Sequence, residues 1–87
     1  MEFYVYILFS ARLNKYYIGY TNDLEKRIIE HNSGMSTYTS KSTDWQIKYT
    51  ELFSTREEAH KRELEFKRKK SRKYIEWLIE SAKNRKH

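Results

Sequence analysis

One stretch constrains this chain more than any other: Tyr16-Tyr17-Ile18-Gly19-Tyr20-Thr21-Asn22-Asp23-Leu24-Glu25-Lys26-Arg27-Ile28-Ile29-Glu30-His31. It predicts a short strand, a sharp turn and an amphipathic helix. Gly19 is followed by Thr21 and Asn22, both good helix N-caps. With Asn22 as the cap, Glu25 falls at capping-box spacing. Leu24, Arg27, Ile28 and His31 follow i, i+3, i+4, i+7 spacing and share one stripe. Burial of Leu24 and Ile28 would hold Arg27 and His31 at the edge of a core. A guanidinium and an imidazole one turn apart, beside a tyrosine strand, suit a phosphate site. They equally suit a solvated basic helix with snorkelling side chains.

The remaining segments give the helix a sheet to pack on. Phe3 to Phe9 alternates Phe3, Val5, Ile7 and Phe9 on one face with Tyr4, Tyr6 and Leu8 on the other. Both faces are apolar, which predicts a central strand. Asn14 suits a turn, so Tyr16 to Gly19 returns as the second strand of a hairpin. Antiparallel pairing would bring Tyr6 near Tyr17 or near Gly19; composition does not choose the register. Gly34 marks the end of the first helix. Met35 to Asp44 lacks an apolar period and reads as a loop with at most one helical turn. Its hydroxyls, with Tyr38 and Lys41, suit either phosphate contact or plain exposure. Trp45, Ile47 and Tyr49 alternate with Gln46, Lys48 and Thr50, which predicts a third strand with the first set inward.

Thr55, with Glu58 three residues on, caps a second helix. Ala59, Glu63 and Phe66 share its inward face. A carboxylate there is costly unless it meets a cation, whether Arg62, Lys67, a sheet residue or a metal ion. Lys67-Arg68-Lys69-Lys70 and Ser71-Arg72-Lys73 form the densest basic run, a phosphate-tracking patch or a solvated face. Tyr74, Ile75, Leu78, Ile79 and Ala82 make the stripe of a last helix, with Trp77 at its margin. The expected architecture is α/β: a three-stranded antiparallel sheet flanked by helices, in a single domain over 1–87 with a basic tail fraying from about 83.

Charge sets the class of partner. The 87 residues carry 18 Lys+Arg against 12 Asp+Glu, a net charge of +6, which favours a polyanion, most simply DNA. With no cysteine, disulfide partners and thiolate metal sites are excluded. No segment reaches the roughly 20 apolar residues that cross a bilayer, and the N-terminus does not resemble a signal peptide. The chain reads as soluble and cytoplasmic, with no membrane partner. It has no Gly-rich phosphate loop, His-Glu-x-x-His pair or serine elbow. His31, His60 and His87 are too scattered for a zinc site.

Taken together, the motifs resemble the GIY-YIG nuclease superfamily, and most closely its small stand-alone UPF0213-like members. The first motif stands here as Tyr4-Val5-Tyr6, with Tyr4 where the family name has glycine, and the second as Tyr17-Ile18-Gly19. The family arginine matches Arg27, the His or Tyr four residues on matches His31, and the metal-binding glutamate matches Glu63. Glu65 lies off the Ala59–Phe66 face, and the family's late asparagine is not carried onto Asn84.

The resemblance implies hydrolysis of a DNA phosphodiester by a metal-activated water. Glu63 would hold one divalent ion, Mg²⁺ or Mn²⁺. Arg27 would offer planar donors to the phosphate. Tyr17 would be the general base, with Tyr6 sharing or supporting the role and His31 assisting or relaying the proton. Gly19 would let the backbone pass near the substrate. Lys41, Lys67, Arg68, Lys69 and Lys70 would bind nucleic acid. Two other readings stay open: a nucleic-acid-binding module of the same fold that cuts poorly or not at all, and an interaction domain for an acidic protein.

Overall fold

The computed structural model describes residues 2–34, 39–69 and 71–84. Three strands, β1 (Phe3–Ser10), β2 (Lys15–Thr21) and β3 (Gln46–Phe53), form one antiparallel sheet in the order β2-β1-β3. The helices are α1 (Leu24–Asn32), α2 (Arg56–Lys69) and α3 (Arg72–Asn84), with one 3-10 turn over Thr39–Lys41. The first strand is central, as its two apolar faces require. The hairpin turn places Asn14 at φ 54°, a left-handed conformation that asparagine tolerates. Gly34 takes φ 82° just beyond α1.

Each face of β1 supports its own layer. Val5 and Ile7, with Ile18 of β2, pack under Ala59 and Phe66 of α2 and Ile75, Leu78 and Ile79 of α3. On the other face Tyr6 and Leu8 pack with Trp45, Leu24 and Ile28, so α1 covers that side. The stripe of Leu24, Arg27, Ile28 and His31 forms as its spacing predicts, but His31, expected at the edge of the core, is fully buried while Leu24 and Ile28 are partly so. Val5 and Ile7 are fully buried, each contributing roughly 1.5–3 kcal/mol of transfer free energy. Arg62 ties α2 to the sheet: its Nε and Nη2 donate to the Glu51 carboxylate at 2.8 and 3.1 Å, and its guanidinium stacks 4.3 Å from the Phe66 ring centre.

Two local expectations are corrected. The N-cap of α1 is Asp23, not Asn22: its Oδ1 accepts from the Lys26 backbone N–H at 3.1 Å. The third strand does not keep Trp45, Ile47 and Tyr49 on one face. Ile7 pairs with Tyr49 and Leu8 with Ile47, so Lys48 is the extra residue of a bulge. Trp45 is buried on the Leu8 side and Ile47, paired with Leu8, is exposed instead of inward, while Tyr49 turns toward Phe66, 6.3 Å between ring centres. The last helix, α3, runs to Asn84, and the remaining three residues of the basic tail lie outside the described residues. The second capping box forms, with Thr55 Oγ1 accepting from the Glu58 N–H at 3.2 Å.

Candidate active site

The register opens the site. Tyr6 pairs with Gly19, and Leu8 with Tyr17. The Tyr6 ring lies across the Gly19 backbone: a Cβ at position 19 would stand 2.5 Å from the Tyr6 hydroxyl and 2.7 Å from its Cζ. No real Cβ tolerates that approach, so glycine is needed here to seat a phenol. Sequence reasoning assigned Gly19 to substrate clearance; the structure shows that it clears Tyr6 first.

The seated phenol organises a buried chain. Its oxygen lies 2.9 Å from His31 Nε2 and accepts from Arg27 Nε at 3.3 Å. His31 is 0% exposed, and its Nδ1 lies 2.7 Å from Thr39 Oγ1. Because Tyr6 oxygen already accepts from Arg27, the consistent assignment has Tyr6 O–H donating to Nε2 and Nδ1–H donating to Thr39. Burial, reinforced by the Arg27 charge, pushes the His31 pKa down to about 4. Burial also pushes the Tyr6 phenol up to about 12, against the opposing pull of Arg27. Near neutrality both groups are therefore uncharged, and the Tyr6 proton points inward. Trp45 closes the chain from behind, donating Nε1–H to the Thr39 carbonyl at 2.9 Å, while Asn32 clamps the Trp45 backbone at both N–H and C=O.

Arg27 is held by two partners, Tyr6 at Nε and Glu30 at Nη1, 3.0 Å away. The Tyr6 hydrogen bond, and secondarily Glu30, raises its already high pKa. Nη2 takes part in neither bond. The guanidinium is thereby fixed in the wall of an open pocket of about 460 Å³. Tyr6, Tyr17, Gly19, Lys26, Arg56 and Glu63 line the same pocket. Lys26 and Arg27 come from α1 on one side of the sheet, and Arg56 and Glu63 from α2 on the other. The pocket thus takes residues from both layers around edge strand β2.

Glu63 is 8% exposed, as its place between Ala59 and Phe66 requires. Its Oε2 accepts from Lys67 Nζ at 2.9 Å, and its Oε1 lies 3.8 Å from His60 Nε2. Of the counter-ions the sequence offers for Glu63, Lys67 fills the place, and Arg62 instead serves Glu51 and Glu65. Among the described residues no group of three or more His, Cys, Asp or Glu side chains could jointly hold a metal.

Five sequence-selected residues therefore meet as one group. Tyr6, Tyr17, Gly19, Arg27 and Glu63 line the pocket, and His31 stands behind Tyr6, touching the pocket only through it. The basic residues are placed differently. The Lys67 ammonium is directed at Glu63, Lys69 lies 4.8 Å over the Tyr74 ring, Lys41 and Arg68 are exposed away from the pocket lining, and Lys70 and Tyr38 lie outside the described residues. The cations that do line the pocket with Arg27 are Lys26 and Arg56. Glu30 carried a readable signal, since it is three residues after Arg27 on one helix. Thr39 carried none within its hydroxyl-rich loop.

Comparisons with known proteins show the family and the fold. The family model described as the GIY-YIG catalytic domain matches residues 2–75. A UPF0213 protein of Staphylococcus saprophyticus is 40% identical over 78 residues, covering 88% of this chain and 94% of its own length. A UPF0213 protein of Bacillus pumilus is 42% identical, covering 97% of this chain and 90% of its own. The solution NMR structure of a UPF0213 protein from Bacillus halodurans superposes with a TM-score of 0.57 at 37% identity, over 92% of this chain and 84% of that one. No described helix is long and apolar enough to cross a membrane. By its family match, its relatives and its fold, the chain belongs to the GIY-YIG family and, within it, to the small UPF0213 proteins.

Proposed function

We propose that the pocket hydrolyses phosphodiester bonds of DNA with the help of one divalent ion. The observation that supports this reading is the meeting of Tyr17, Arg27 and Glu63 around one open pocket, although they come from β2, α1 and α2. The donor set fits such an ion: a single nearly buried carboxylate facing an open, polar cavity suits Mg²⁺ or Mn²⁺, which keep most of their shell for water and phosphate. Glu63 would hold it. When bound, the ion would activate water and neutralise charge on the phosphate and leaving oxygen.

The chain's own groups divide the remaining work. Arg27, oriented by Tyr6 and Glu30, presents its guanidinium to the scissile phosphate and stabilises the added negative charge. Lys26 and Arg56 draw the flanking backbone into the pocket. Tyr17 would take the proton of the attacking water onto its phenol oxygen, which must first have given up its own. Tyr6 is less suited to that role, because its own proton is committed to His31 and its pKa stands near 12. Tyr6, His31 and Thr39 act instead as a positioning chain for Arg27.

A nicking assay on supercoiled DNA, with and without Mg²⁺ or Mn²⁺, tests the proposal. Wild type should cut only with the ion. Arg27→Ala and Glu63→Ala should each lose at least about 10²-fold. Cutting that persists unchanged in both variants rejects the site. DNA binding without cutting by wild type would leave a nucleic-acid-binding module in its place.

A further inference from the structure

We propose that His60 is a second protein ligand to the divalent ion, and that the pair His60–Glu63 selects a first-row transition ion over Mg²⁺. The inference rests on the metal-dependent reading of the pocket. His60 stands one turn before Glu63 on α2, at i, i+3 spacing on the same side. Its ring lies against Tyr20, 5.2 Å between centres with 30° between planes, and Tyr20 lines the pocket. The imidazole thus stands against one pocket-lining ring and beside the Glu63 carboxylate, one side chain outside the lining itself.

The two oxygens of Glu63 are used differently. Oε2 is taken by Lys67, and Oε1 is turned toward His60 Nε2 at 3.8 Å. That separation is too long for a hydrogen bond. An ion with two bonds of about 2.1 Å spans it, and adjacent octahedral positions need about 3 Å, within reach of a half-exposed imidazole. The Lys67 ammonium stays on the other oxygen and tempers affinity by charge repulsion. Imidazole nitrogen favours transition ions over Mg²⁺, whereas carboxylate and water accept either. A site built from Glu63 alone would discriminate little; adding His60 tips it toward Mn²⁺ and its neighbours.

Direct binding to the full chain tests this without any cleavage readout. Mn²⁺ affinity is measured from the electron paramagnetic resonance of the free ion, and Mg²⁺ affinity by competition, for wild type, Glu63→Gln and His60→Ala. His60→Ala should weaken Mn²⁺ by about tenfold or more and Mg²⁺ by less than about twofold. Glu63→Gln should weaken both. In wild type, sub-stoichiometric Mn²⁺ should broaden the His60 ring protons in NMR spectra ahead of those of His31. Equal Mn²⁺ affinity in wild type and His60→Ala, with loss only in Glu63→Gln, overturns the His60 assignment and leaves the metal reading standing. Failure of wild type to bind either ion overturns both.

Discussion

Gly19 and Tyr6 fit closely, and a single methyl group tests that fit. A Cβ at position 19 would overlap a ring that His31 and Arg27 hold in place. Gly19→Ala should destabilise the fold by about 1–3 kcal/mol, the range for overpacking a core. In a domain of this size that lowers the melting temperature by roughly 4–8 °C per kcal/mol. An unchanged melting temperature would mean that the ring moves freely. His31 makes a second residue-scale prediction. In the unfolded chain it binds a proton near pH 6.5; in the folded chain it resists until about pH 4. Between those values the unfolded state holds more protons, so stability is fully present above pH 6.5 and is lost as the pH falls toward 4. The loss is on the order of 2–3 kcal/mol. Denaturant titrations at pH 7 and pH 4.5 should show it in wild type and much less of it in His31→Asn. A second acid, Asp44, held down to about 2 mainly by hydrogen bonds from Ser10 and Ser42, titrates below that window and should not obscure it.

At the scale of elements, the helix ends set where the chemistry sits. Asp23 caps α1 and lines the pocket, so Asp23→Ala should cost about 1 kcal/mol and loosen the turn that aims Arg27. Thermal unfolding measures the first effect, and a fall in cleavage larger than the loss of folded protein measures the second. The elements also explain what sequence reading reaches. Central β1, the hairpin, the α1 stripe and the inward Glu63 follow from periodicity, because each buries one side against a layer that its own pattern demands. The N-cap was misread by one residue because Asn22 and Asp23 are both good caps, and only the geometry of Lys26 N–H decides. The bulge at Lys48 carried no signal, since strict alternation continues through it in the sequence. Lys67 suits both a Glu63 counter-ion and a phosphate contact in the sequence, because a charge run does not reveal which cation has an internal carboxylate within reach. The convergence of Tyr17, Arg27 and Glu63 came from the family resemblance, since spacing within separate helices does not say that they meet.

The whole molecule is small, and its two layers are unequal: α2 and α3 cover one face of the sheet with a larger buried cluster than α1 forms on the other. The pocket draws on both layers: α1 and α2 lie on opposite sides of the sheet, yet each contributes charged groups at the edge of β2. The pocket is complete only when both helices are docked. Cleavage should therefore disappear with global unfolding in urea and show no activity in a partly folded form, with circular dichroism and nicking rate following one transition. The central claim, that Arg27 and Glu63 serve one reaction from opposite layers, is tested most directly by a double-mutant cycle. Nicking rates at saturating divalent ion are measured for wild type, Arg27→Ala, Glu63→Gln and the double variant. Each single change should cost about 10²-fold or more, and the double should cost little beyond the worse single, as for groups that act as a unit. Full additivity of the two losses, or cutting by the double variant at the wild-type rate, would contradict the account.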